Sequence, residues 1–207
     1  EMKAYLLYEI STAPSPLRQN QWRKRLAELY LAEKLYSEAL SVLERIRETD
    51  PVFFQNEKLA AYEGMAYLML TRHAEAGRSF NDPTLDNEPE APLLRTAANA
   101  AQGGGPDEVA MPYLELNDAY IRQYPPDFRQ RLAIIAANQA IRMEDYIAPM
   151  KVFASLEDDD MDEDIKPYIT FLKGSIASEV GREDDAKRFW QELADNPADR
   201  QFRARAA

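Results

Sequence analysis

The chain has 207 residues, a formal net charge of −11 and no cysteine. A chain of this length buries about 70% of its unfolded surface, so a full core is expected. The acidic balance argues against nucleic acid and anionic lipid as partners, because both need a basic surface, and the lack of cysteine excludes disulfides, thiolate metal sites and a cysteine nucleophile.

No apolar run is long enough to cross a membrane, and the first ten residues lack the features of a signal peptide. We therefore expect no direct membrane insertion. The chain begins at Glu1, so we expect a domain of a larger protein or a processed product, with a bacterial cytoplasm or periplasm both left open. The net charge favours a neutral or basic protein or peptide as partner, and no cofactor signature is present.

Proline and asparagine divide the chain into helical segments. Two prolines, Pro14 and Pro16, should end a first helix over 1–10, and Asn20 is predicted to cap the second helix, over 21–34. A third helix begins at Ser37 and ends before Asp50-Pro51. Later hairpins are predicted at 55–71 with 74–80, 91–102 with 107–123, 127–142 with 144–156, and 165–180 with 182–194. The predicted domains are an N-terminal helix and linker (1–19), a repeat domain (20–197) and a tail (198–207).

A small residue in one helix is followed twelve residues later by an alanine in the next, five times. The pairs are Ala27/Ala39, Gly64/Ala76, Ala98/Ala110, Ala136/Ala148 and Gly174/Ala186. Four residues after each alanine comes a larger apolar residue: Leu43, Phe80, Leu114, Val152 and Trp190. Small residues let antiparallel helices approach closely, and the larger residue is predicted to pack against the following hairpin. A recurrence every 34 to 38 residues is typical of a solenoid of helical hairpins.

Three of the five periods resemble the tetratricopeptide repeat (TPR) family. The first period has Leu26, Ala27, Tyr30, Ala39, Leu43 and Pro51, and the second has Gly64, Tyr67, Ala76 and Phe80. The last has Gly174, Ala186 and Trp190, with Ala177 in place of the tyrosine and Pro197 near the expected end. The third and fourth keep only the small residue and the alanine. The resemblance implies a right-handed superhelix whose first helices line a concave groove for a peptide or partner helix.

The resemblance also suggests where a partner would bind. Arg95 and Asn99 lie one turn apart on a first helix and supply half of the Lys/Arg/Asn clamp that this family uses for a C-terminal carboxylate. Lys24 is followed one turn later by Glu28 rather than by an amide, and Ile134 stands where a second polar contact is needed, so the clamp is incomplete.

Tyr62, Met65 and Met69 form a stripe at positions i, i+3 and i+7 of the first helix of the second hairpin. In the geometry of the family, this stripe faces the groove, where methionine suits varied partners. Burial under a neighbouring helix explains the same pattern, and both interpretations stay open.

Three further features have simpler interpretations than chemistry. The lone His73 sits at a turn, where an exposed polar residue is expected. The run 103–105 of three glycines lacks the lysine of a phosphate-binding loop and follows a helix, which indicates a flexible turn. The acidic run 157–164 lacks the glycine and glutamate of a calcium loop and is interpreted as a solvated loop.

The sequence therefore predicts an all-α solenoid that binds a protein or peptide and is not an enzyme. The predicted partner-binding residues are Lys24, Glu28, Tyr62, Met65, Met69, Arg95 and Asn99. Two alternatives remain: a helical-repeat enzyme or glycan-recognising domain of the cell envelope that uses acidic residues, and a purely structural spacer.

Overall fold

Helices and the turns between them make up the part of the chain that the computed structural model describes, residues 1–103, 124–147, 149, 150, 153 and 165–195. No strand occurs in these ranges, so the all-α prediction is confirmed for them. Two compact units divide the chain, unit 1 from Glu1 to Gly104 and unit 2 from Gly105 to Ala207. None of the described helices combines the length and the apolar character needed to cross a membrane.

The helices follow the predicted hairpins closely. Unit 1 contains α1 (Met2–Thr12), α2 (Pro16–Ala32), α3 (Tyr36–Thr49), α4 (Pro51–Asn56), α5 (Ala60–Met69), α6 (His73–Phe80), a 3-10 turn (Pro83–Leu85) and α7 (Ala91–Ala101). Unit 2 contains α8 (Pro126–Arg142), α9 (Lys166–Glu179) and α10 (Glu183–Asp195). Within unit 1, each of the longer helices packs on its neighbour in sequence, and α3 also packs on α5. The predicted tail, 198–207, lies outside the described residues.

The start of α2 differs from the prediction. The helix begins at Pro16, and the Ser15 hydroxyl accepts the Arg18 N–H at 3.3 Å. Proline is well placed in a first helical turn, because its missing N–H would have no partner there. The prediction that Asn20 caps α2 is wrong: Asn20 is fully buried inside the helix, where its Oδ1 accepts from Arg23 Nη1 at 2.8 Å.

The segment from Asp50 to Lys58 also differs. Asp50-Pro51 ends α3 as predicted, but the same pair starts α4, because the Asp50 carboxylate accepts the Phe53 N–H at 3.0 Å. The backbone then turns at Lys58, whose φ is 52°. The predicted single helix over 55–71 is therefore divided into α4 and α5.

Four hairpin turns share one backbone geometry. Each has a residue with positive φ: Lys34 at 60°, Thr71 at 58°, Glu144 at 59° and Gly181 at 74°. The next N–H reaches back five residues in every case: Leu35 to Tyr30, Arg72 to Tyr67, Asp145 to Ala140 and Arg182 to Ala177, at 2.8–2.9 Å. This is the Schellman motif, which pairs carbonyl groups that a helix C-terminus otherwise leaves open.

Two of these turns lie in unit 1 and two in unit 2. The interval is 37 residues from 34 to 71 and again 37 from 144 to 181. The interval from 71 to 144 is 73 residues, and Gly103, which lies within it, also has a positive φ, of 74°. Within each unit, two of these turns thus lie 37 residues apart.

In the second and fifth hairpins, the larger residue covers the small residue of the same hairpin. A Cβ added at Gly64 would lie 2.4 Å from Phe80 Cε1, and one at Gly174 would lie 2.5 Å from Trp190 Nε1. In the first hairpin, Ala27 and Leu43 are both fully buried in one core cluster. Phe80 and Trp190 therefore lie against the glycine of their own hairpin, a contact that the sequence did not predict.

The fourth hairpin is shifted by one residue from the predicted pairing. In the first, second and fifth hairpins, the small residue lies seven positions before the turn residue and the alanine five positions after it. Counting from Glu144, these positions are Ala137 and Pro149, and the larger residue is Phe153. Ala137 and Phe153 are both fully buried in one cluster. Ala137, rather than the predicted Ala136, thus shares a cluster with the larger residue, whereas Ala148 and Ala110 lie outside the described residues.

The first helix belongs to the core of unit 1. Leu6 of α1 is buried together with Leu26, Tyr30 and Ala39. Met2, Tyr5 and Tyr8 on the same helix remain exposed. Residues 1–19, predicted as a separate N-terminal segment, thus contribute a helix that packs on the first hairpin.

Candidate functional site

Three of the predicted site residues converge between α2 and α5. Lys24 Nζ lies 3.9 Å from Glu28 Oε1, and the Tyr62 hydroxyl donates to the same Glu28 oxygen at 3.2 Å. Glu57, which was not predicted, accepts from Lys24 Nζ at 2.7 Å. Lys24, Glu28, Glu57 and Tyr62 form what we call the unit 1 polar cluster. Glu57 was missed because no sequence signal marks the end of α4 at Asn56, one residue before it.

The electrostatics of this cluster are set by its own members. The hydrogen bond to Glu57 raises the pKa of Lys24. Burial raises the pKa of Tyr62, and the Glu28 carboxylate raises it further, while the Lys24 ammonium acts in the opposite direction. The ammonium group of Lys24 is thus already paired with carboxylates of the same cluster.

A cleft of about 430 Å³ adjoins the polar cluster. Its walls include Trp22 and Phe53 besides Lys24, Glu28 and Glu57. The Trp22 ring is held on two sides, by Tyr5 edge-on at 5.9 Å and by the Arg25 guanidinium at 4.8 Å. This arrangement places charged groups beside a half-buried Trp22 and a buried Phe53.

Met65 and Met69 are half-buried on α5, one and two turns beyond Tyr62. Tyr62 packs against the core cluster that contains Leu43 and Phe54. The Tyr62/Met65/Met69 stripe is therefore neither fully buried nor fully exposed. Its tyrosine is tied to the core and to Glu28, and its methionines keep part of their area exposed.

Arg95 is engaged inside unit 1. Its Nε donates to the Phe80 carbonyl oxygen at 2.8 Å, at the C-terminal end of α6, and its Nη2 reaches Asp86 Oδ1 at 2.6 Å. Asn99, one turn further on α7, is exposed. A partner carboxylate would have to displace Asp86 or the carbonyl group to reach this guanidinium.

Glu63 is a buried carboxylate that the sequence reading did not single out. It is 4% exposed and accepts from Arg47 Nη2 and from Ser79 Oγ, both at 2.6 Å. The Arg47 guanidinium also lies over the Phe54 ring at 4.4 Å. This network ties α3 to α5 and α6, and it lies at the base of a cleft of about 450 Å³.

Unit 2 carries a different cleft, of about 640 Å³, between the segment around Ile147 and the α9/α10 hairpin. Its apolar lining residues are Tyr146, Ile147, Met150, Ile176, Ala177, Val180 and Phe189. Three of them are exposed, Ile147 at 71%, Val180 at 46% and Met150 at 37%. We call this set the unit 2 cleft. Exposed aliphatic side chains gathered round one depression are a feature of binding surfaces.

Charged residues stand at the edge of the unit 2 cleft. Lys173, Arg182 and Arg188 supply positive charge, and Asp185 supplies the one negative charge among the lining residues. Arg188 Nη2 lies 3.1 Å from Asp185 Oδ1. On the side of Tyr146 the sign changes: burial raises the pKa of Tyr146, and the carboxylates of Glu179 and Glu144 raise it further.

The structure describes only part of the three features that the sequence analysis explained without a chemical role: His73, the glycine run and the acidic run. His73 is half-buried at the first position of α6, rather than exposed as expected. Of the three glycines, only Gly103 is described, with a φ of 74°. The acidic run 157–164 lies outside the described residues. Within the described ranges, no three His, Asp or Glu side chains are grouped as a metal site would require.

No protein-family model matches this sequence, and comparisons with curated proteins and with solved structures found no significant match. The resemblance to tetratricopeptide repeats therefore rests on the residues of the hairpins themselves.

Proposed function

We propose that this chain is a protein-interaction scaffold built from TPR-like helical hairpins, and that the unit 2 cleft receives a segment of its partner. The observation that carries this proposal is the exposure of Ile147, Val180 and Met150 around one cleft. The exposed apolar area of these three side chains is not buried by the folded chain itself. A partner that covers this area can gain binding free energy from its burial.

The expected affinity is modest. Complete burial of an aliphatic side chain of this size contributes about 1.5–3 kcal/mol, and these three are already partly covered. Ordering a flexible partner segment offsets part of the gain. Binding on the order of micromolar, about −8 kcal/mol, is therefore the upper range for this surface by itself.

The repeating turn supports the solenoid part of the proposal. Turns of one geometry at 37-residue intervals are what stacked hairpins of equal length produce. A solenoid of about five hairpins should be longer than a compact globule. Small-angle X-ray scattering should then give a radius of gyration above about 17 Å, the value for a compact chain of this length; a value at or below that would contradict the solenoid.

A photo-crosslinking residue tests the binding proposal at the cleft itself. p-Benzoylphenylalanine would replace Ile147 in one chain and Val52 in another, because Val52 is an exposed aliphatic residue of unit 1 with 63% exposure. In cells of the source organism, the Ile147 position should capture a defined protein that the Val52 position does not.

A second substitution provides the specificity control. Val180→Asp in the Ile147 crosslinking chain should abolish the product, while its surface position keeps the stability within about 0.5 kcal/mol of the parent. No product at Ile147, or the same products from Val52, would overturn the proposed function of the cleft.

A further inference from the structure

The local charge of the unit 2 cleft is opposite to that of the whole chain. The chain carries −11, yet the charged lining residues are three cations and one carboxylate. The net charge predicts a neutral or basic partner, whereas the surface on which the apolar side chains stand carries a positive edge. A partner segment docked in the cleft meets these nearby charges first, because salt screens charges more than about 8–10 Å away.

Two of the cations are accessible to an incoming group. Arg182 is exposed and forms no ion pair with any described residue. Arg188 has 69% of its side chain exposed and uses one nitrogen for Asp185. Since a guanidinium has five N–H donors, Arg188 retains donors that can reach a second carboxylate.

Two carboxylates near Tyr146 favour one orientation of a docked segment. Glu144 and Glu179 act on Tyr146, so a carboxylate of the partner would be repelled there. Arg188 lies on α10, next to Phe189 on the cleft wall. The apolar side chains of a docked segment therefore lie toward Ile147 and Val180, and its acidic residues lie toward α10.

From this geometry, and resting on the proposed function, we propose that the unit 2 cleft binds an acidic amphipathic helix of a partner protein, with large apolar side chains on one face and Asp or Glu beside them. Exposed ion pairs contribute little affinity, about 0.2–1 kcal/mol each. Their main effect is on the choice of partner and on the association rate, and it weakens with salt.

Three designed helical peptides test this proposal. All carry the same Leu/Phe stripe, and the positions flanking it are Glu in one peptide, Gln in the second and Lys in the third. Fluorescence anisotropy with the full chain should give the order Glu, Gln, Lys from tightest to weakest, with at least a tenfold difference between Glu and Lys at low salt. The net charge of the chain works against this order, so the preference can come only from local charges.

Charge-removing variants assign the preference to the cleft. Arg182→Gln with Arg188→Gln should reduce the affinity for the Glu peptide to that of the Gln peptide and leave the Gln peptide unchanged. The control is Arg18→Gln with Arg45→Gln, which removes the same charge from exposed positions of unit 1; Arg45 pairs with Glu48 as Arg188 pairs with Asp185.

The outcomes separate this inference from the proposed function. Equal affinities, a preference for Lys, equal effects of the two double variants, or no peptide binding at 1 mM would each overturn the acidic-helix inference. If crosslinking at Ile147 still captures a partner, the cleft remains a binding site for a segment of other chemistry. If that crosslinking also fails, the proposed function is lost with the inference.

Discussion

The unit 1 polar cluster and the unit 2 cleft lie on hairpins of the same build but differ in what they leave open. In unit 1, Lys24 reaches Glu57 and Tyr62 reaches Glu28, so charges and hydroxyl are paired across helices distant in sequence. In unit 2, the described ion pair at the cleft joins two residues three apart on one helix, and aliphatic side chains stand exposed beside it. The shared turn fixes where side chains converge, while the residues placed there decide whether the surface is closed or available.

The largest expected difference between the units comes from removing one arginine from each. Arg47→Ala leaves the Glu63 carboxylate buried with only the Ser79 hydroxyl as partner. Stranding a buried charge costs about 3–5 kcal/mol, and we expect the lower end because the side chain of Arg47 is half-exposed. Arg188→Ala breaks an exposed pair and should cost less than about 1 kcal/mol.

Urea denaturation followed by circular dichroism measures both changes. Glu63→Gln gives the control, because it removes the buried charge that Arg47 neutralises. In that background, Arg47→Ala should cost much less than in the parent. An unchanged cost would mean that Arg47 acts through its contact with the Phe54 ring instead.

The second comparison concerns the glycines under the aromatic rings. Gly64→Ala places a methyl group against Phe80, which is fully buried and cannot move aside. Gly174→Ala meets Trp190, which is half-buried and can shift toward solvent. Overpacking costs about 1–3 kcal/mol, and we expect Gly64→Ala near the upper end and Gly174→Ala near the lower.

Gly77→Ala is the matched control in the same hairpin, because its methyl group would meet the flexible end of the Gln102 side chain at 2.9 Å and Ala98 Cβ at an ordinary contact distance of 3.9 Å. Replacing a helical glycine by alanine there should be neutral or stabilising by up to about 1 kcal/mol. Phe80→Leu should rescue Gly64→Ala, since the first hairpin already packs Ala27 with Leu43. A double variant as unstable as the sum of the single changes would contradict this pairing.

How far the sequence predicts this molecule is seen at the turns. Spacing of small residues located the helices and three of the pairs, because close helix contact leaves no alternative at Ala27, Gly64 or Gly174. The register predicted for the fourth hairpin differs from the structure because Glu144 adopts a positive φ. A glutamate in the sequence does not indicate that conformation. The cap at Asn20 failed because Ser15-Pro16 offers an earlier start for α2.

The binding surfaces are less predictable than the fold. Lys24 and Glu28 lie one helical turn apart in the sequence, but the contact of Glu28 with Tyr62, which lies on another helix, could not be predicted from the helical period. The unit 2 cleft was missed because its apolar side chains come from three separate segments, and in the sequence Ile147 and Val180 look like ordinary hairpin residues. The exposure of a side chain depends on how much of it the neighbouring helices cover, and a local sequence pattern does not predict this.

A third comparison exchanges the turn residues. Thr71 has a φ of 58° and Gly181 a φ of 74° in turns of the same geometry. A β-branched residue pays about 1–2 kcal/mol for this left-handed conformation, which glycine adopts freely. Thr71→Gly should therefore raise the free energy of unfolding by roughly 1 kcal/mol, after the entropy that glycine adds to the unfolded chain.

Gly181→Thr should lower the free energy of unfolding by a similar amount, since nothing lies within 4 Å of the added Cβ and only backbone strain is at stake. Thermal melts of the two variants would give shifts of opposite sign. Shifts of the same sign would mean that the turns at 71 and 181 do not share their conformation in solution.

The smallest expected effect, below about 1 kcal/mol, concerns the unit 1 polar cluster at alkaline pH. The pKa of Lys24 is raised by its bond to Glu57, and the pKa of Tyr62 by burial and by Glu28. Both groups hold their protons more tightly in the folded chain, so their stabilising contribution is complete below the unfolded pKa values near 10. The contribution is lost as the pH rises through the folded values.

Tyrosinate absorbance at 295 nm, taken as the difference between the parent and Tyr62→Phe, should place the Tyr62 midpoint above about 10. The two neighbours should move it in opposite directions. Glu28→Gln removes a carboxylate that disfavours tyrosinate and should lower the midpoint, whereas Lys24→Met removes an ammonium that favours tyrosinate and should raise it. If neither substitution moves the midpoint while the helical spectrum stays intact, the cluster is not closed in solution. Unit 1 would then present an open polar surface. The unit 1 polar cluster and the unit 2 cleft would differ only in how much apolar area they expose.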